Sequence, residues 1–281
     1  MSAASKPAPV PGTRPEGARD EREAADHVHR MFTRIAPRYD FLNHLLSFSL
    51  DRLWRRRTAS RFARVLARPD ARVLDLCCGT GDLTFALDRA RAKALRSGAQ
   101  AAVRSVSDPQ SAADAQRSQA APVIGSDFVE PMLTRAREKS RAAHSSAAFA
   151  AADALTLPFA DASFDLVTSA FGFRNLANYE QGLREIARVL KPSGEVGILE
   201  FSEPGSGPLA GPFRFYFRHI LPRVGGAISG DNDAYAYLPG SVARFPSPSG
   251  LASLMQQCGF ADVRIASWNF GSVVLHSARR V

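Results

Sequence analysis

The chain has 281 residues, 45% hydrophobic and 22% charged, the composition of a globular protein with one main core rather than of a fibrous or disordered chain. No run of about 18 apolar residues occurs and the first twenty residues lack an apolar segment, so neither a membrane span nor a secretory leader is expected, and the expected location is the cytoplasm. Cys77, Cys78 and Cys258 fit neither a disulfide framework nor zinc spacing, so no metal is expected, while the net charge of +9 leaves nucleic acid and anionic lipid open as partners.

Residues 1–24, rich in Pro, Ala, Gly and charge, are expected to be an unfolded tail ahead of a domain spanning 25–281. Seven arginines fall between Arg52 and Arg68, with Trp54, Thr58, Phe62, Val65 and Leu66 recurring at three- and four-residue spacing. This pattern predicts one amphipathic helix whose basic face is either a partner surface or simply solvated.

Val73, Leu74 and Leu76 then form a buried parallel strand around Asp75, followed by Gly79 and Gly81, which let the backbone turn and approach a ligand, and by Asp82 at a helix N-terminus. A dinucleotide-binding loop wants a third glycine three residues after the second, where this chain has Thr84. The loop therefore resembles the first motif of class I methyltransferases, which bind S-adenosylmethionine, more than an NAD site.

Residues 92–121 are a run of Ala, Ser, Gln and Arg read as an inserted surface loop. The insertion explains why the next strand-end acid, Asp127 of the strand Val123–Asp127, falls far beyond the roughly 20-residue spacing of a ribose-binding carboxylate. A helix opens at Glu130-Pro131, a short third strand covers 149–154, and a fourth runs from Phe164 to Ser169. A helix from Asn178 to Leu190, a turn at 191–194, and a fifth strand from Val196 to Glu200 follow. After an aromatic stretch come a helix at 249–258 ending at Gly259 and two strands, 263–267 and 273–277. The alternation predicts an α/β fold of the Rossmann-like, doubly wound kind: a mostly parallel seven-stranded sheet with an antiparallel edge.

At this point the residues resemble the ubiquinone/menaquinone biosynthesis C-methyltransferases, over about Met31 to Arg279 apart from the insertion. The resemblance is carried by Tyr39-Asp40-Phe41-Leu42-Asn43 with Leu46-Ser47 and Trp54, by Arg188 to Gly194 through Glu200 and Ser202, and by Phe171-Gly172-Phe173-Arg174-Asn175. Leu42, Asp51, Ser193 and Ala170 depart from the family pattern, which usually has Met, His, Gly and Ser there.

The resemblance implies a class I methyltransferase fold and methyl transfer from S-adenosylmethionine to a ring carbon of a polyprenyl quinol, with demethylmenaquinol favoured over a ubiquinone precursor. It implies that Asp127 accepts the ribose hydroxyls, that Gly79, Thr80 and Gly81 pass beneath the methionyl part, and that Asp153 and Ala154 lie against adenine. Ala170 would contact the cofactor through backbone or methyl group, and Asp75 would order the loop or the amine. Arg174 is the candidate for stabilising a phenolate and Asp40 for accepting a proton. Tyr39, Asn43, Asn175, Tyr235 and Tyr237 are candidate substrate contacts, with residues 203–248, including the aromatic run 213–219 and His219, as a lid. A transient anionic membrane surface is the expected partner besides the quinol, a homodimer is compatible with the family, and nucleic acid is not expected. Two other readings stay open: a nucleic-acid methyltransferase and a non-catalytic scaffold of a quinone-synthesis complex.

Overall fold

The computed structural model describes residues 12–15, 17–105, 120–203 and 232–281, together with residues 211, 215, 220 and 223. Side chains are described for these except at 42, 98–105 and 232–236. Seven strands form one sheet in the order β3-β2-β1-β4-β5-β7-β6. They are β1 (Val73–Leu76), β2 (Val123–Asp127), β3 (Ala148–Ala151), β4 (Phe164–Ala170), β5 (Leu190–Phe201), β6 (Phe260–Trp268) and β7 (Val273–Arg280). β7 runs antiparallel to both β5 and β6, and the remaining pairings are parallel.

Strand alternation divides the core into two layers. Val73 and Leu166 pack beneath α3 (Leu50–Arg61), α4 (Ala63–Leu66) and α5 (Asp82–Ser105), against Phe62, Leu66 and Leu87. Leu74, Leu76 and Val167 face the other way, toward Leu183 and Ile186 of α7 (Tyr179–Val189) and Leu251 and Met255 of α9 (Pro248–Gln257). An N-terminal helical segment, α1 (Glu21–Ile35) then α2 (Tyr39–Leu46), crosses the carboxyl ends of the strands, and α6 (Glu130–Ala142) joins β2 to β3. The chain winds outward from β1 to β3 and returns to β4, so the switch point lies between β1 and β4, where ligands of open α/β sheets bind.

Several boundaries differ from the sequence reading. Of the expected tail 1–24, residues 12–15 and 17–24 are placed in the fold and the others lie outside the described residues: buried Thr13 donates its N–H to the Leu176 carbonyl at 2.7 Å, and Asp20 caps α1 by accepting the Glu23 N–H at 2.8 Å. Polar composition hid this, because the segment is held by hydrogen bonds to the chain beyond β4. The arginine-rich helix is two helices, broken at Phe62, and Arg55 points inward. Backbone helix α5 continues through residues 92–105, which the composition assigned to a loop; the rest of that insertion, 106–119, is outside the described residues. Strand β3 ends at Ala151, short of 154. β5 begins at Leu190, taking in the 191–194 turn as an irregularity between the Phe164–Leu190 and Leu166–Glu195 pairs. Most of the expected lid, with His219, also lies outside the described residues; its end is α8 (Asn232–Arg244).

Candidate active site

The turn between β1 and α5 sets the shape of the first cleft. Cys77, Gly79 and Gly81 all have left-handed backbone, with φ of 53°, 55° and 87°. From the facing loop, Gly172 comes so close that a Cβ there would sit 2.4 Å from the Cys77 Cβ. The cleft left open above this turn is lined by Asp75, Gly79, Thr80, Asp127, Asp153, Ala154 and Ala170, all expected cofactor contacts, and also by Asn175. Gly81 is the exception. It does not line the cleft, and its missing Cβ makes room for the rings of Phe85 and Phe149, which a Cβ would approach to 3.0 and 3.1 Å.

Asp127 is buried at the end of β2, its Oδ2 accepting the Gly79 N–H at 2.8 Å and its Oδ1 the Val129 N–H at 2.9 Å. Burial raises its pKa despite these donors. Each oxygen keeps acceptor capacity. Asp75 is deeper: it accepts from the hydroxyls of Thr84 at 2.6 Å and Thr168 at 3.0 Å, and desolvation pushes its pKa up to about 7. Thr84, standing where a dinucleotide loop would place glycine, therefore anchors the strand-end acid. Asp153 is exposed at the rim, its carboxylate accepting the Leu155 N–H at 2.9 Å.

A second, mainly apolar cavity of about 350 Å³ adjoins the first. Phe32, Tyr39, Arg55 and Phe171 line both. Met31, Ile35, Leu46, Trp54, Phe201 and Leu238 supply apolar wall, and Asn43, Arg174 and Tyr237 are among its polar groups. Of the expected substrate contacts, Tyr39, Asn43 and Tyr237 meet here, whereas Asn175 lines the first cleft, joined to the second cavity by the 3.1 Å hydrogen bond from the Tyr237 hydroxyl to its Oδ1. The side chain of Tyr235 falls outside the described residues.

Arg174 is buried against this cavity. Its Nη1 donates to Glu200 Oε2 at 2.9 Å and to the Phe171 carbonyl, its backbone N–H reaches Glu200 Oε1 at 3.0 Å, and Nε has no partner among the described residues. Burial works against its charge, but Glu200, Tyr39 and Tyr237 together raise its pKa above the usual guanidinium value. Tyr39 is raised as well, chiefly by desolvation, with Arg55 and Arg174 pulling the other way.

Asp40 sits elsewhere. Its carboxylate accepts from Lys139 Nζ at 2.9 Å and from the Thr80 hydroxyl, and it lines an outer groove rather than the apolar cavity. The expected proton acceptor therefore lies apart from the apolar cavity: Tyr39 lines that cavity, and the adjacent acid on the same helix turns to a lysine. Lys139 also binds Asp82 at 2.6 Å. The same network holds Arg55, paired with Asp51, 3.7 Å from Asp82 and stacked 5.4 Å from the Phe171 centroid. His44 Nδ1 lies 2.8 Å from Asp51 Oδ2. Sequence reasoning missed Arg55 and Lys139 as site residues; the i,i+4 spacing of Asp51 and Arg55 was the available signal for the first.

The sequence profile of the ubiE/COQ5 methyltransferase family matches residues 18–280. A demethylmenaquinone methyltransferase of Deinococcus radiodurans is 44% identical over 90% of this chain and 92% of its own, and one of Thermus thermophilus is 43% identical over 89% of this chain and 100% of its own. Among solved structures, a SAM-dependent methyltransferase of Thermotoga maritima superposes with a TM-score of 0.58 at 16% identity, over 90% of this chain and 99% of that one. The [4+2]-cyclase SpnF superposes at 0.59 and 15% identity, over 96% and 98%. Likeness at that level shows the fold, which hosts more than one chemistry.

Proposed function

The chain belongs to the ubiE/COQ5 methyltransferase family, and from that premise we propose that it methylates a ring carbon of demethylmenaquinol at the junction of its two cavities. It is an S-adenosylmethionine-dependent C-methyltransferase of menaquinone/ubiquinone biosynthesis. The observation that carries the finer reading is the adjoining of a polar cleft to an apolar cavity that holds a buried arginine.

The first cleft suits S-adenosylmethionine. A buried Asp127 with spare acceptor capacity fits the ribose hydroxyls, Gly79 and Thr80 offer a backbone surface without bulk, and Ala154 and Asp153 fit adenine. Asp75 orders the turn through Thr84 and Thr168. Bound there, the cofactor supplies an electrophilic methyl group on a sulfonium.

The acceptor is a carbon, so the neighbouring phenolic hydroxyl must lose its proton before the ring is electron-rich enough to attack. Arg174 holds its charge throughout and acts as an electrostatic partner of the phenolate, lowering the quinol pKa rather than taking the proton. Tyr39 and Phe171, common to both cavities, hold the ring in line with the cleft, and such alignment removes several kcal/mol of barrier. Apolar walls favour a step in which opposite charges neutralise one another. Asp40, tied to Lys139, positions α2 against α6. Tyr237 and Leu238 support reading α8 as part of a lid. Because the acceptor is a lipid and Arg56, Arg57 and Arg61 are exposed on α3, the enzyme works peripherally at an anionic membrane surface.

The test is release of S-adenosylhomocysteine with demethylmenaquinol, with a methoxy-polyprenyl-benzoquinol, with RNA and with no acceptor. Demethylmenaquinol is expected to support the fastest release with a methylated product. Faster release with the benzoquinol would move the substrate to ubiquinone synthesis, release only with RNA would make it a nucleic-acid enzyme, and none with any acceptor would leave a scaffold.

A further inference from the structure

Two phenylalanines stand at the mouth of the apolar cavity in backbone conformations that such residues seldom adopt. Phe48, in the turn between α2 and α3, has φ of 51° and is 76% exposed; Phe270, in the turn between β6 and β7, has φ of 58° and is 69% exposed. Both line the cavity. Their neighbours Ser49 and Asn269 are also left-handed, so each turn holds its aromatic outward against local backbone preference. The Trp54 indole N–H donates to Asn269 Oδ1 at 2.9 Å, which fastens the second turn to α3, directly after the first.

The apolar surface extends beyond these two residues. Phe41 and Leu45, one turn apart on α2, are exposed, as is Leu53 on α3. Arg56 and Arg57 share the exposed face of α3 with Leu53, and the Arg57 guanidinium lies 5.9 Å from the ring of Trp268, the residue before Asn269. An apolar rim bordered by cations fits one occupant best: the interface of an anionic bilayer, with aromatic side chains at the level of the headgroups and arginines on the phosphates.

We propose that Phe48 and Phe270 form a two-pronged wedge that inserts into the membrane surface and seats the mouth of the cavity on the bilayer, so that an isoprenoid-tailed ring passes from lipid to site without crossing water. This inference rests on the reading of the cavity as a quinol site. It goes beyond attraction by a basic helix, because the apolar wedge predicts binding that survives salt.

The experiment measures partition of the full chain onto phosphatidylcholine vesicles with and without phosphatidylglycerol, at low and high salt. Phe48→Ser combined with Phe270→Ser should lower partition roughly tenfold or more at both salt concentrations, since the lost affinity scales with buried apolar area. Arg56→Gln combined with Arg57→Gln should lower it only at low salt, because charge attraction is screened. Ile265→Ser, an exposed apolar residue on β6, is the control and should change nothing. Retained S-adenosylmethionine binding shows that each variant is folded. Unchanged partition of the double serine variant, or an equal loss with Ile265→Ser, overturns the wedge. Methylation of a detergent-solubilised quinol separates the two readings. Vesicle binding through the wedge without quinol methylation would sink the substrate assignment alone, and quinol methylation without vesicle binding would sink the wedge alone.

Discussion

Arg174 and Glu200 form a buried ion pair, Nη1 to Oε2 at 2.9 Å, and the same carboxylate accepts the backbone N–H of Arg174. The pair fixes the guanidinium from both ends of the residue and leaves Nε without a partner among the described residues. Glu200→Gln should therefore cost about 3–5 kcal/mol of stability in denaturant unfolding, by stranding a buried cation. Arg174→Lys keeps the charge but replaces the planar guanidinium, whose Nη1 donates to both Glu200 and the Phe171 carbonyl, by a shorter ammonium; kcat should fall on the order of 100-fold with S-adenosylmethionine affinity unchanged. A lysine variant with normal kcat would remove Arg174 from the chemistry.

Asp127 joins the glycine turn to the end of β2 by accepting from Gly79 and Val129. Asp127→Asn should weaken S-adenosylmethionine binding by about 1–3 kcal/mol in titration calorimetry, because an amide has one acceptor oxygen where the carboxylate has two. Asp127→Ala should lose stability as well as affinity, since it orphans two backbone donors. Equal affinity in all three proteins would place the ribose elsewhere.

Asp75 gives a pH dependence. Its folded pKa, raised to about 7 by desolvation, lies above the unfolded value near 3.9. Across that window the folded chain binds more protons than the unfolded one, so the contribution of Asp75 to stability is greatest below about pH 4 and is lost as pH rises through about 7. Asp75→Asn removes this term while keeping partners for Thr84 and Thr168. Its melting temperature relative to the parent should rise between about pH 5 and about pH 8, by roughly 2–4 °C per kcal/mol recovered. A constant difference over that range would mean that Asp75 folds already charged.

Replacement of residues 106–118 by a Gly/Ser linker of equal length should leave melting temperature and cofactor affinity nearly unchanged, because the segment offers almost no apolar side chain to bury. The replacement must stop short of Ser105, where the backbone of α5 ends. A drop of several degrees would show that the segment is part of the fold.

The sheet was legible because its strands are short apolar runs ended by acids and glycines: Asp127 is the last residue of β2, and Asp75 the residue before the end of β1. The turn beside the first cleft was legible from Gly79 and Gly81, both of which have left-handed backbone. Partnership was not legible. Nothing in the order of residues says that Asp40 pairs with Lys139, 99 positions later, or that Thr13 is buried under Tyr237, because such contacts arise from the helices that cross the sheet. Gly81 shows a related limit: a glycine serves a ligand or a neighbouring ring equally well, and the rings that Gly81 makes room for, Phe85 and Phe149, are not legible in the loop itself.

Arg55 separates the two roles that the arginine-rich helix combines. Its periodicity groups it with Arg56 and Arg61 as a basic face, yet it is buried, paired with Asp51 and close to Asp82, and lines both cavities, while the other two are exposed. Burial works against its charge, and Asp82 and Asp51 more than restore it. Arg55→Gln should lower methyl transfer to a long-tailed quinol in vesicles and to a short, water-soluble quinol alike, with about 3–5 kcal/mol lost from stability as the buried Asp51 loses its guanidinium partner. Arg56→Gln with Arg61→Gln should reduce transfer only in anionic vesicles, each arginine contributing on the order of 1 kcal/mol, and the deficit should vanish as salt rises. If Arg55→Gln spared the soluble substrate, the guanidinium would belong to the membrane surface despite its burial; if the exposed pair lowered both activities, the outer face of α3 would be coupled to the site through the helix itself.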